Sequence, residues 1–522
     1  MGMPKRTCGL IMAAACVAQA PYLLVPMGGD AAVHLVWIHC FAGQLWQGDP
    51  YPRWCFDADA GLGSPVFFFY FPLPYYLTSL LYPVTWLGVS IQQLYVLSTF
   101  AATVLSGITC WHWLRVPAGE RCALAAAILY LFMPYHLELM FFRHAFAENW
   151  FLAFAPLMCL QARRLAFAPR LSAARVAGMA AAITVCLLCH VQATVGMLIG
   201  ISIYMLATAR RSTPLISMGA AAVIAAAACS FYLWPAWRYL PFVDPGANTL
   251  SPWANGTVSL THFGHVQLRV LIGAIITAIG IATISVLAAA RRQRLTDAAV
   301  RRECIAWALA AAAALFLMLP LSARIWAVIN AAGALAFPWR MQSVMMMALA
   351  YLCAVYMRFL PSARAQKTGS ADYAVLLGFL LFFAFFVVQS RDVSHDEAFN
   401  RLIEARYVRP NEYRTRWTPP EYAGQEAYEY VLAQQRSRGQ QALADVVEGK
   451  AEVTVMQWSW RGIALKVHAP TQAMIRLRHR FFPNWQAGYD HHAADLQPET
   501  GSGWMKVAVP PGDYVLTIKR TL

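Results

Sequence analysis

VFFFYFPLPYYLTSLLYPVTWLG, residues 66–88, is long and apolar enough to cross a bilayer, but Pro72, Pro74 and Pro83 interrupt it. Its density of aromatic rings is that of a segment lying in the membrane interface. Whether it crosses sets the orientation of everything after it. If it stays outside, the clusters Lys5/Arg6, Arg115/Arg121, Arg163/Arg164/Arg170/Arg175, Arg210/Arg211, Arg291/Arg292/Arg294/Arg301/Arg302 and Arg358/Arg364/Lys367 all fall on one side. The opposite loops then hold only Arg53, Arg143, Arg238, Arg269, Arg324 and Arg340 ahead of the tail. If it crosses, the bias inverts. Basic residues gather on the cytoplasmic side of membrane proteins. The reading is therefore an interfacial 66–88, a cytoplasmic N-terminus and about 11 crossings, at roughly 8–26, 93–114, 122–138, 147–162, 176–190, 193–208, 214–234, 270–290, 303–319, 343–359 and 373–389.

Composition agrees. The 522 residues are 59% hydrophobic and 13% charged, with a mean hydropathy of +0.47. A soluble domain carries roughly 25% charged residues, so a soluble enzyme, a disordered chain and a small disulfide scaffold are excluded. The net charge of +15 does not indicate nucleic acid, because the basic residues form short clusters between apolar runs rather than one face. The first run follows Lys5-Arg6 and ends in Ala18-Gln19-Ala20, as a signal peptide does. Pro21 at the next position opposes cleavage, and an uncleaved first span is expected. Twelve cysteines lie mostly singly in apolar stretches without CxxC spacing, which marks most of them as small core residues.

Residues 391–522 are a different kind of sequence. Residues 419–445 read as an amphipathic helix. After Lys450, apolar residues alternate at Val453/Val455, Ile463/Leu465/Val467, Ile475/Leu477, Val507/Val509 and Tyr514/Leu516/Ile518, with turns such as Pro510-Pro511-Gly512-Asp513 between them. Period-two alternation with such breaks predicts a small β-sandwich. The expected fold is a polytopic α-helical membrane protein over 1–390, with an outer loop at 27–92, followed by an extracytoplasmic, mainly β domain at 391–522.

Ionisable groups at membrane depth are costly, which makes those near it functional candidates. Asp30 follows Gly28-Gly29 and precedes His34 by one turn. It is either an N-cap for the amphipathic stretch after it or a carboxylate set to take a proton from a hydroxyl, and the two roles are compatible. Arg143, His144 and Glu148 in the second outer loop suit a phosphate or a sugar, or else a membrane anchor and a helix-start acid. Arg340, in Phe337-Pro338-Trp339-Arg340, either snorkels to lipid headgroups or forks onto a phosphate. Asp57-Ala58-Asp59 can offer oxygen ligands to a divalent ion, although a structural role in the loop is the stronger reading. Cys40 and Cys55 share the outer loop, and either pair in an oxidising compartment or stay free. His190, His262 and His265 read as local hydrogen-bonding residues, since their spacing fits no zinc pattern.

Gly29-Asp30, His34, Tyr51-Pro52-Arg53-Trp54, Gly61-Leu62-Gly63-Ser64-Pro65, Phe71-Pro72-Leu73-Pro74-Tyr75-Tyr76, Phe337-Pro338-Trp339-Arg340 and Phe482-Pro483-Asn484-Trp485 together carry a resemblance. The chain resembles bacterial membrane proteins of the YfhO type and their relatives labelled 6-pyruvoyl-tetrahydropterin synthase-related. The resemblance spans most of the chain, through short motifs. It implies the GT-C fold of lipid-phosphate-sugar-dependent glycosyltransferases, in which an acid follows the first span and interfacial helices precede the second. Asp30 matches that acid, and Glu148 is the candidate for the class's other outer-loop acid. The implied activity moves a sugar from a polyprenyl-phosphate donor to a lipid or glycan acceptor on the outer face of the bacterial inner membrane, with inversion. Asp30 would act as general base, Arg340 with Arg143 or His144 would meet the phosphate, and His34, Glu148 and Tyr75 would complete the substrate-binding residues. The competing readings are a transporter or flippase of a lipid-linked envelope intermediate and a non-catalytic envelope assembly protein. A transporter is expected to show repeated halves with acids at mid-membrane, whereas here no repeat is found and the acids gather at one face.

Overall fold

This computed structural model describes residues 3–23, 27, 30–168, 170, 172–243, 265–290, 297–331, 338–358, 413–418, 433 and 442–521. Gly28, Gly29, His262, Phe337, the span expected at 373–389 and nearly all of the helix expected at 419–445 lie outside them. The chain packs as two units. Met1–Ala31, Gln93–Ser230 and Leu250–His395 make the first, and Ala32–Gln92, Phe231–Thr249 and Asp396–Leu522 the second. The units do not follow a division at residue 390, because the outer loop packs with the C-terminal part of the chain.

Among the described residues every expected span from 8–26 to 343–359 falls on helical chain, but 122–138 and 214–234 each cross a break between two helices. Ile91–Ala118, Val191–Thr208 and Pro338–Arg358 are each long and apolar enough to cross a membrane unbroken, and three further helix pairs reach that length only together, across a bend. Two of the bends have a proline cause. Glu120–Leu131 meets Pro134–Phe142 at 42°, and Ala298–Met318 meets Pro320–Val328 at 84°. Met133 (φ −66, ψ 148) and Leu319 (φ −88, ψ 152) each precede a proline in extended backbone, since the following ring disfavours the α conformation. Between Ala173–Cys189 and Val191–Thr208 the break is one residue, His190, whose Nδ1 accepts from the Ala193 amide at 3.1 Å and caps the second helix.

Gln342–Val355 is buried along its whole length, and neighbouring helices close on it where small residues allow. A Cβ on Gly200 would stand 2.5 Å from Val344 Cγ1. Gly107 receives Ile11 in the same way, packing the first helix, Lys5–Gln19, into the bundle. There Gln19 Nε2 donates to Thr103 Oγ1 at 2.9 Å.

In the second unit, residues 66–88 form no continuous helix. Val66–Phe69 and Leu73–Ser79 are short α-helices and Tyr82–Leu87 is a 3₁₀ turn, as their prolines require. The tail folds into nine strands: β1 (Ala444–Glu448), β2 (Glu452–Ser459), β3 (Gly462–Ala469), β4 (Ala473–Arg480), β5 (Trp485–Tyr489), β6 (His492–Ala494), β7 (Leu496–Pro498), β8 (Trp504–Val509) and β9 (Gly512–Arg520). They form two sheets, ordered β1-β4-β8-β7 and β2-β3-β9-β5-β6. Most of the alternating residues read from the sequence meet in one core, with Ile463, Leu465, Val467, Leu516 and Ile518 from one sheet and Ile475, Leu477, Val507 and Val509 from the other, whereas Val455 is exposed.

Trp54, Phe56 and Phe68 of the outer loop complete that same core, which is why loop and tail form one unit. A disulfide braces the loop internally, and three polar contacts fix it to the sandwich. Cys40 and Cys55 form a disulfide. The buried Asp59, itself at φ +50, pairs with the buried Arg480. His479 meets the Gly61 carbonyl through Nδ1 at 3.0 Å, which assigns Nε2 as the acceptor for Trp54 Nε1 at 2.9 Å.

Gly63 (φ +84) lies against this tryptophan–histidine pair. A Cβ there would stand 2.6 Å from Trp54 Nε1 and 2.7 Å from the His479 ring. Gly63→Ala is expected to cost about 2 kcal/mol, seen as a lower thermal midpoint in detergent, and an unchanged midpoint would show that the loop is not seated there. Burial pushes the His479 pKa down to about 3 from the ordinary 6.5, with the Gly61 carbonyl acting the other way. The unfolded chain therefore takes up a proton near pH 6.5 that the folded one refuses until about pH 3. The stability due to neutral His479 is complete above the higher value and is lost progressively as the pH falls toward the lower. The midpoint should fall on acidification through this window, and fall less in His479→Gln.

Candidate functional site

The first unit carries a buried ionic cluster centred on Glu148. Ahead of it the chain turns at His144 (φ +52), so that helix Phe146–Ala166 begins just beyond and Glu148 stands in its first turn. Its carboxylate accepts from Tyr135 Oη at 2.6 Å, from Arg143 Nη1 and Nη2 at 3.1 and 3.3 Å, and from Arg340 Nε at 2.6 Å. His190 Nε2 lies 3.4 Å from Oε1. Because His190 Nδ1 is the acceptor in the helix cap, Nε2 carries the proton that faces Glu148. Arg340 also donates to Gln192, and the Arg143 guanidinium lies over the Trp339 ring at 5.6 Å.

Asp30 joins this cluster through its backbone, with its amide donating to the Arg143 carbonyl at 3.2 Å. It directly precedes helix Ala31–Trp46. Burial pushes the neighbouring His144 imidazole down to about 4, and the Asp30 carboxylate acts in the opposite sense. Five residues expected to share a site are therefore gathered: Asp30, Arg143, His144, Glu148 and Arg340. At Glu148 two guanidiniums face one carboxylate. A guanidinium holds five N–H donors in a planar fork, so the pair is suited to an oxyanion such as a phosphate.

The other expected residues belong to the second unit. His34 Nδ1 and Tyr75 Oη are buried and 2.8 Å apart, beside the buried Trp37 and the half-buried Tyr70, whose rings lie 5.4 and 5.9 Å from the imidazole. Of Asp57 and Asp59, considered for a divalent ion, Asp59 is turned onto Arg480. Among the described residues no group of three or more His, Cys, Asp or Glu is placed to hold a metal ion.

Tyr135 and Gln192 belong to the candidate site and were passed over by sequence reasoning, whereas His190 was read only as a local hydrogen-bonding residue. Tyr135 sits one residue after Pro134, in a stretch read as an unbroken span. His190 was readable as a polar residue between two apolar runs, and it serves both as a local cap and as a partner of Glu148. Glu138 adds a second fully buried acid, with Gln342 Nε2 3.4 Å from its Oε2. The signal for it was the polar group standing inside an apolar run.

Residues 67–332, just over half of the 522, match the family described as 6-pyruvoyl-tetrahydropterin synthase related domain, membrane protein. The chain belongs to this family of membrane proteins. As a member it is a mainly helical membrane protein with several apolar helices and a C-terminal β region. The matched stretch contains Arg143, Glu148 and His190, begins after Asp30 and ends before Arg340. The family description states no reaction. No curated protein matches the chain.

Proposed function

We propose that this family member is a glycosyltransferase of GT-C type in the bacterial inner membrane, with about 11 crossings, a cytoplasmic N-terminus and the second unit in the periplasm. It would use a polyprenyl-phosphate-linked sugar and a lipid or glycan acceptor. The observation that carries the reading is the convergence of Arg143 and Arg340 on Glu148, beside a carboxylate, Asp30, that precedes the first loop helix. The topology is supported by the broken 66–88 segment and by the packing of loop 32–92 with the C-terminal strands, which requires both on one side of the membrane.

In the proposed reaction the acceptor oxygen forms a bond to the anomeric carbon while the bond from that carbon to the phosphate oxygen breaks. The acceptor proton passes to Asp30, the configuration inverts, and the polyprenyl phosphate leaves. Arg340 and Arg143 stabilise the charge that develops on the phosphate, the kind of term that dominates such reactions. Glu148, engaged by Tyr135 and both arginines, acts as the residue that positions them and not as a base. Among the described residues none is grouped to hold a divalent metal, and the proposed step includes none.

The test gives purified protein a labelled polyprenyl-phosphate sugar and an envelope extract as acceptor. Transfer of label supports the reading. The bent helix pairs favour the alternative of a transporter or flippase, and movement of the donor across vesicles without transfer would establish it. Neither activity would leave an envelope assembly protein.

A further inference from the structure

The second unit holds a half-open cavity of about 210 Å³ to which two of the sequence motifs contribute. Tyr51 and Arg53 of Tyr51-Pro52-Arg53-Trp54 and Asn484 of Phe482-Pro483-Asn484-Trp485 line it together with Trp460, Arg461 and Arg520. The same two motifs turn Trp54, Phe482 and Trp485 into the sandwich core, so each tract has an apolar face that fixes it and a polar face that lines the cavity.

The lining is cationic and held in place. Arg53 stacks on Tyr51 at 4.4 Å and donates to the Phe231 carbonyl at 3.1 Å. Arg461 and Arg520 lie over Trp460 at 5.2 and 5.9 Å. Arg461 donates to the Gln47 carbonyl at 2.8 Å, and Arg520 to Asp49, the one acid among the described lining residues, at 2.7 Å. Three guanidiniums against one carboxylate leave an excess of positive charge, presented by side chains whose freedom is already restricted. Asn484 is 2% exposed, its backbone carbonyl is held by the Thr521 amide at 2.7 Å, and its Oδ1 has no partner among the described residues. A buried amide oxygen without a donor is costly, and a ligand hydroxyl would satisfy it. An anionic group for the arginines and a hydroxyl for Asn484 together describe a charged sugar. The volume is below the roughly 300–1,000 Å³ of drug-sized sites, which suits a single ring.

We propose that this cavity binds a saccharide bearing a carboxylate or a phosphate, its charge on Arg53, Arg461 and Arg520 and a hydroxyl on Asn484. The site is independent of the transfer reaction proposed above. Its test is calorimetric titration of the full chain in detergent with glucuronic acid, glucose 1-phosphate, glucose and inorganic phosphate. A charged sugar should bind at least about tenfold more tightly than glucose, as charge-assisted hydrogen bonds require, and more weakly as salt is raised. Asn484→Asp, which sets a carboxylate among the arginines, should weaken that binding about tenfold or more, and Arg461→Gln should do the same where the first variant fails to fold. Glucose binding as tightly as glucuronic acid, inorganic phosphate binding as tightly as glucose 1-phosphate, or no binding of either charged sugar would each overturn the proposal.

Discussion

Asp30→Asn is expected to reduce sugar transfer by about 10²–10⁴-fold, the usual contribution of a positioned general base, with little change in thermal midpoint. The substitution is chosen to separate chemistry from structure. Asparagine caps helices as well as aspartate does, so helix Ala31–Trp46 can start as before, and the amide that donates to the Arg143 carbonyl is untouched. What disappears is a group able to take the acceptor's proton. The measurement is the initial rate of label transfer at saturating donor. A rate within a factor of about two of the parent is too small a loss for a missing base and would remove Asp30 from the mechanism.

Glu148→Ala is expected to cost about 3–5 kcal/mol of stability, the typical penalty for leaving a buried charge without its counter-ion. Here two guanidiniums and a tyrosine hydroxyl lose their acceptor at once. Glu148→Gln keeps the shape but not the charge and should fall between. Joining Glu148→Gln to Arg340→Met removes one uncompensated cation and should recover part of the loss, so that the two changes are not additive. Thermal unfolding in detergent of the parent, Glu148→Ala, Glu148→Gln, Arg340→Met and the double variant measures all of this. Strict additivity would mean that the contact between Glu148 and Arg340 carries no energy.

The fold was readable where one local signal sufficed. The prolines in 66–88 break the segment by their own geometry, and the alternation at Ile463/Leu465/Val467 or Tyr514/Leu516/Ile518 reports a strand with one buried face. The site was readable only in part. Arg143, His144 and Glu148 are neighbours in sequence, so their grouping needed no knowledge of the fold, whereas Arg340 reaches Glu148 across 192 positions. Tyr135 escaped because a bend at Met133, set by Pro134, is what turns its hydroxyl to Glu148. The link from Asp59 to Arg480 spans 421 positions, and no pattern within the Asp57-Ala58-Asp59 tract distinguishes an ion-pair partner from a metal ligand. The same distance explains why the division at residue 390 follows composition, while packing follows the aromatic residues that the early loop places in the late sandwich.

That separation governs how the protein is born. Trp54, Phe56 and Phe68 leave the ribosome nearly 400 residues before the strands that shelter them. At roughly 5–20 residues per second of synthesis, they wait on the order of 20–80 s in water with nothing to bury them. The Cys40–Cys55 link closes within the loop itself and needs no later partner, so it can form before docking, and the half-made polypeptide must be guarded against aggregation until its last hundred residues arrive.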